Sequence, residues 1–299
     1  MRTTVLPFAL SLAAALAQAK GALVLQTDFG TRDGAVSAMH GVALGIDPSL
    51  VVQDLSHENT PYDTWEAAYR LVQTAPWWPS GTVFVSVVDP GVGTARRSVV
   101  LRTRSGHLFV GPDNGSFTLV AEQLGIADVR EIEEERLHEP GRKVSATFHG
   151  RDVFAVLGAR LASGKTALEQ VGPARKSLGV LLPHVRPERR GDTLVGGVPA
   201  LDFRYGNVWS DVPDSLLQTL GLKTGDTVTV EVRHEGKTAW KAKLPFVTTF
   251  GDVAEGAPLL YVNSLGNLAL ALNMGDFAKA HDISSGPGWE LRVNRLPRR

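Results

Sequence analysis

The 299-residue chain has no cysteine, which excludes disulfides, thiolate nucleophiles and cysteine-ligated zinc together. It has no excess charge either. Its 31 Lys and Arg balance 31 Asp and Glu, so no global field draws it to nucleic acid or anionic lipid. The short motifs of several large enzyme classes are missing as well. There is no P-loop with its Lys-Ser/Thr pair, no HExxH and no GxSxG, and Gly91-Val92-Gly93 lacks the third glycine of a dinucleotide fingerprint. No internal repeat or low-complexity tract occurs. Beyond the first residues, no apolar run reaches the length of a membrane span.

What is present fits a soluble globular protein of two ordinary domains, 43% hydrophobic and 21% charged. The first residues stand apart. Arg2 precedes the apolar run Val5 to Leu16, and Ala17-Gln18-Ala19 gives the small-x-small pattern of a signal-peptidase site. The run is short for a bilayer, so residues 1–19 are expected to be a removed signal peptide, leaving an exported, periplasmic or secreted protein with no membrane attachment.

From Ala22 to about Gly179, β-rich runs alternate with helical patterns. Leu23 to Leu25, Leu50 to Val52, Val83 to Val88 and His107 to Val110 read as strands, with a short turn, Thr103 to Gly106, between two of them. Ala35 to Leu44, Asp63 to Thr74 and Val153 to Leu161 read as helices. The alternation predicts an open, mostly parallel α/β sheet over residues 20–182. The proline-rich, charged stretch Pro183 to Gly191 reads as a linker. Over residues 192–299 the pattern becomes antiparallel: Thr227 to Val232 and Trp240 to Phe246 alternate around the turn His234-Glu235-Gly236. With Leu259 to Val262 and Leu291 to Val293, this predicts a smaller β-barrel or sandwich. The acidic stretch Glu131 to Glu135 reads as a solvated surface, and Arg292 to Arg299 as a frayed tail.

In open α/β sheets, ligands bind at the carboxyl ends of the strands. Three polar turns fall there: Thr27-Asp28-Phe29-Gly30, Asp89 to Thr94, and Pro112-Asp113-Asn114-Gly115. A single Asp after a strand usually caps a helix or forms a turn, but three such turns on one edge imply a site. Their carboxylates would repel phosphate and suit ribose hydroxyls or a cation. His149, in Thr147-Phe148-His149-Gly150-Arg151-Asp152, precedes a helix whose positive end favours a neutral, proton-accepting imidazole. By themselves, His149 reads as a hydrogen-bonded loop histidine and Arg96-Arg97 as a solvated pair.

Taken in order, these segments resemble the hydroxide adenosyltransferases that act on S-adenosylmethionine (SAM), relatives of the SAM-dependent fluorinase and chlorinase. The resemblance is carried by Thr27 to Gly30 with Asp33, Val87 to Thr94 with Arg96-Arg97, Pro112 to Gly115 and Phe148 to Asp152. Asp202, Tyr205, Gly206-Asn207 and Asn263-Ser264-Leu265-Gly266 continue it. It implies a catalytic set of Asp89, Arg96 and His149 that activates water. It also implies substrate contacts from Asp28 (ribose diol), Phe29, Asp33, Tyr62, Asn114, Phe148 and Phe250. Tyr205 and Asn207 would meet adenine, and Asp202 and Ser264 the methionine end. Leu265 departs from the halogenases, which carry Arg there, and Ala35 replaces a Ser of the fluorinase. No metal or cofactor is implied, SAM being the substrate. A homotrimer is implied, with SAM between one subunit's N-terminal domain and its neighbour's C-terminal domain.

The expected reaction is hydrolysis of SAM to adenosine and methionine by attack of water on C5′. Arg96 would hold positive charge beside the water, Asp89 would orient Arg96, and His149 would relay or accept the proton. Two alternatives compete. A halogenase is disfavoured because a carboxylate, Asp89, would repel halide, and because Gly150 stands where the fluorinase has a hydroxyl. An exported binder of adenosine or SAM would explain the leader but would not need the Asp89, Arg96 and His149 set.

Overall fold

The computed structural model describes residues 21–137 and 144–295, so the expected signal peptide lies outside the described residues. The N-terminal half contains β1 (Leu23–Thr27), α1 (Ala35–Ile46), β2 (Val52–Ser56), α2 (Thr64–Thr74), β3 (Val83–Val87), β4 (Ser98–Thr103) and β5 (Leu108–Pro112). It continues through α3 (Thr118–Leu124), β6 (Ile126–Glu131), a π-helical segment Gly150–Phe154, α4 (Ala155–Ala162) and β7 (Ala174–Arg175). Seven strands form one sheet in the order β2-β1-β3-β5-β4-β6-β7. Pairing is parallel from β2 to β5 and antiparallel beyond it.

Every residue of β1 and β3 is buried, because helices cover both faces of the sheet centre. Met39 and Ala43 of α1 pack with α4 on one face, while Leu71 of α2 and Val120 of α3 pack on the other. The close approach of α4 requires Gly158, where a Cβ would stand 2.3 Å from Val85 Cγ2. Asp63 caps α2, accepting the backbone N–H groups of Trp65 and Glu66 at 3.0 and 2.9 Å. The second strand lies later than the apolar run predicts. Leu50 is buried but Val51 is exposed, and the polar Gln53-Asp54 pair sits within β2 because this strand is an edge.

The second half contains β8 (Glu188–Arg190), β9 (Thr193–Val198), β10 (Ala200–Leu201), β11 (Val208–Pro213), α5 (Asp214–Gln218) and β12 (Thr227–His234). Then come β13 (Lys237–Pro245), β14 (Pro258–Val262), β15 (Asn267–Leu272), α6 (Phe277–His281) and β16 (Gly286–Arg295). Two antiparallel sheets, β10-β11-β15-β14 and β13-β12-β16-β9-β8, share one apolar core and form a sandwich. The hairpin joining β12 and β13 turns at Glu235 and Gly236, both with positive φ. Part of the predicted linker is strand β8, paired to β9. The predicted basic tail is also partly strand: residues 292–295 end β16, because its alternate residues Leu291 and Val293 are fully buried. Residues 296–299 lie outside the described set. The two halves meet where Trp65 Nε1 donates to Pro199 O at 2.9 Å. Among the described residues, no helix is long and apolar enough to cross a membrane.

Candidate active site

The chain runs from β1 to β2 on one side of the sheet and returns to β3 on the other, so strand order reverses between β1 and β3. A crevice opens where the loops after these two strands separate. A cavity of 370 Å³ lies there, lined by Asp28 and Phe29 from the β1 loop, Tyr62, Asp89 from the β3 loop, and Phe148 and His149 ahead of α4.

The β3 loop is shaped by its glycines and by Asp89. Asp89 Oδ1 accepts Gly91 N–H at 3.1 Å, and Gly93, at φ 76°, passes so close that a Cβ would meet Ala146 O at 3.0 Å. This contact brings the segment carrying His149 against the loop carrying Asp89.

Arg96 joins the two. Its Nε donates to Asp89 Oδ2 at 2.9 Å, its Nη2 donates to Asp89 Oδ2 at 2.7 Å and to His149 Nδ1 at 3.1 Å, and its Nη1 donates to Ser98 Oγ at 2.6 Å. These bonds use most of the guanidinium's donors, and its carbon lies 5.3 Å from the Phe154 ring centroid. Arg96 stands behind Asp89 and His149 and is not among the residues lining the cavity. Arginine only donates, so Nδ1 of His149 is the acceptor, and in the neutral ring the proton sits on Nε2.

Two partners in this network escape sequence inspection. Ser98, buried on β4, donates its hydroxyl to Glu134 Oε1 at 2.5 Å. Glu134 also lies 3.6 Å from both Arg96 Nη1 and His149 Nδ1. The acidic stretch is therefore not uniformly solvated surface: a short 3-10 turn, Glu134–Leu137, aims Glu134 inward while Glu133 pairs with Arg136. Only three-dimensional placement separates Glu134 from its acidic neighbours.

The aromatic side of the cavity is tightly set. Phe29 and Phe148 meet edge to face at 5.8 Å. A Cβ on Gly150 would come within 3.3 Å of Phe29 and 3.4 Å of Val87. Tyr62 holds a left-handed backbone, φ 68°, which costs a non-glycine residue roughly 1–2 kcal/mol. Its N–H donates to Asp28 Oδ2 at 2.8 Å, which ties the outlier to a cavity carboxylate.

The remaining sequence candidates lie elsewhere. Asp33 Oδ1 accepts Ala35 N–H at 2.9 Å at the start of α1. Asn114 joins strand ends by donating to Val88 O at 2.8 Å. Asp202 and Asn207 close the loop between β10 and β11, the Asn207 amide donating to Asp202 Oδ2 at 3.2 Å. Tyr205 is exposed in that loop, Phe250 meets Tyr261 in a tilted ring contact at 5.0 Å, and Ser264 follows β14. Within one chain, none of Asp202, Tyr205, Asn207, Phe250 and Ser264 lines the cavity of Asp89 and His149.

Comparison with known proteins is consistent over most of the chain. The profile of the SAM hydroxide adenosyltransferase N-terminal domain matches residues 23–172, and that of the C-terminal domain matches residues 196–290. The (R)-S-adenosyl-L-methionine hydrolase of Salinispora tropica is 41% identical over 270 residues, covering 89% of this chain and 95% of its own. A fluorinase from Actinoplanes is 29% identical over 292 residues, covering 88% and 95%. The crystal structure of an uncharacterized conserved protein from Thermotoga maritima superposes with a TM-score of 0.82 at 35% identity, covering 91% of this chain and all of that one.

Proposed function

This chain belongs to the SAM hydroxide adenosyltransferase family, and from that premise we propose that it hydrolyses SAM to adenosine and L-methionine. The observation that carries the proposal is the crevice itself. An aspartate and a histidine line one cavity at the strand-order reversal, and a single half-buried arginine fixes both.

The chemistry follows from the donors and acceptors. The sulfonium makes C5′ electrophilic, and methionine leaves as a neutral thioether that keeps the electron pair of the broken C5′–S bond. A water oxygen forms the new C5′–O bond. His149 Nε2–H donates to that oxygen and fixes its position. Arg96 occupies Nδ1, so the proton acceptor is assigned to Asp89. A protonated alcohol is a far stronger acid than a carboxylic acid, so a carboxylate paired with arginine is basic enough to take the proton and pass it to solvent. Arg96, Ser98 and Glu134 act as positioning residues. Positioned proton transfer typically contributes about 10²–10⁴-fold, and alignment of the water adds to it.

Asp28 keeps Oδ1 for the ribose diol while Oδ2 holds Tyr62. The residues expected at adenine and methionine lie outside the cavity, which supports a homotrimer in which a neighbour's C-terminal half completes each site. The N-terminal leader supports export.

Incubation with SAM in ¹⁸O-water tests the proposal. Adenosine carrying one ¹⁸O at its 5′ oxygen, with equimolar methionine, is the expected result. Binding without products would instead establish a binder, and a 5′-halo-adenosine formed from added halide would establish a halogenase.

A further inference from the structure

The loop after β2 lies against the loop after β1, and a second cluster of ligating groups stands there, outside the cavity of Asp89 and His149. Among the described residues, one trio of imidazoles and carboxylate brings its donor atoms within 4.8 Å of one another: His40 on α1, Asp54 on β2, and His57. Asp54 Oδ1 lies 2.8 Å from His40 Nε2 and 3.1 Å from His57 Nε2. His57 is only 4% exposed, whereas the His40 and Asp54 side chains are 29% and 43% exposed, so the trio opens to solvent on one side.

His57 sets a hydrogen-bonding problem. Its Nε2 is shielded from solvent, yet despite its proximity to Asp54 it makes no well-directed hydrogen bond. A buried polar nitrogen in that state costs free energy unless something between it and its neighbours satisfies it. The ring is held from behind, with Nδ1 2.8 Å from Thr27 Oγ1. When Nδ1–H donates to that hydroxyl, the Nε2 lone pair faces Asp54 and His40. This is how an outer hydrogen bond orients a metal-ligating imidazole.

We propose that His40, Asp54 and His57 bind one divalent transition ion of the zinc class, through two imidazole Nε2 atoms and one carboxylate oxygen, with water in the open fourth position. Tetrahedral bonds of ~2.0–2.1 Å place ligand atoms about 3.3 Å apart. The separations of 2.8 and 3.1 Å need to open by less than an ångström to match. Two imidazoles and a carboxylate suit zinc, cobalt or iron(II), whereas calcium and magnesium prefer oxygen ligands throughout. The ion takes no part in the attack on C5′. It fixes α1 and β2 to the loop that carries Asp28 and Phe29. His57 O accepts Gly30 N–H at 2.8 Å, and the Asn59 amide donates to Thr27 O at 3.0 Å.

The test uses the full chain, stripped by a chelator and titrated with Co(II) while its d–d absorption is followed. Zn(II) is then added in competition. One Co(II) per chain with the strong bands of a tetrahedral site, displaced by Zn(II), is expected, together with a higher unfolding temperature when Zn(II) is bound. His40→Ala and Asp54→Ala, at partly exposed positions, fold without the ion and lose saturable binding. SAM turnover by His40→Ala stays at the level of metal-free wild type, so metal binding and hydrolysis are read separately. Absence of saturable Co(II) binding in the wild type, or wild-type affinity retained in both variants, overturns the proposal.

Discussion

Arg96 distributes its donors among three neighbours, and each neighbour makes a different claim on the reaction. Asp89→Asn removes the assigned proton acceptor and leaves the arginine without its carboxylate, so kcat should fall about 10²–10⁴-fold. His149→Ala removes the Nε2 donor and should lower kcat with little change in KM, the signature of a group that acts in the transition state. Glu134→Gln keeps an acceptor for Ser98 and changes only the charge beside Arg96 and His149. Its cost should be about tenfold in kcat, roughly 1.4 kcal/mol. Steady-state release of adenosine measures all three, and wild-type turnover by Glu134→Gln would remove it from the network. Asp89, Arg96 and His149 are legible in the sequence because their motifs occur in family order. Glu134 is not, because an acidic run has the same composition whether it faces water or an arginine.

The strands and helices fall where periodicity is strong and drift where it is weak. The almost wholly apolar β3 and the amphipathic α2 lie close to their expected bounds, whereas the edge strands β2 and β8 hide in polar stretches because one side of each has no partner to bury. A pair of glycines inside β9 has a specific cause at this scale. A Cβ on Gly196 would stand 2.3 Å from Val212 Cγ2 and 2.5 Å from Asp211 Oδ1, so β9 is kept bare where β11 crosses it. Burial there pushes the Asp211 carboxyl up to about 7, although Gly197 N–H donates to it at 2.7 Å. The unfolded value lies near 3.9. Between about pH 4 and 7 the folded state therefore holds a proton that the unfolded chain has lost, and stability falls as pH rises, by about 1.4 kcal/mol per unit. It is fully present below that window and has been lost above it. Urea unfolding from pH 4 to 8 should show this slope in the wild type and a flatter profile in Asp211→Asn.

At the scale of the whole molecule, both domain classes are legible from the change between alternating α/β and antiparallel pattern near residue 190. Their mutual placement is not, since a contact such as Trp65 to Pro199 leaves no periodic trace. The separation of Asp28 from Asp202 into different cavities gives a prediction about assembly. Asp28→Ala and Asp202→Ala should each be nearly inactive. Mixed after dissociation and reassembly, they should recover about one quarter of wild-type turnover if sites form between subunits and chains assort randomly. No recovery would place each complete site within one chain. The same separation bears on kinetics. If one polypeptide cannot enclose its own ligand, the rate depends on a power of protein concentration above one once the sample is dilute enough for subunits to part. Specific activity then ceases to be a constant of the preparation and reports the association equilibrium instead.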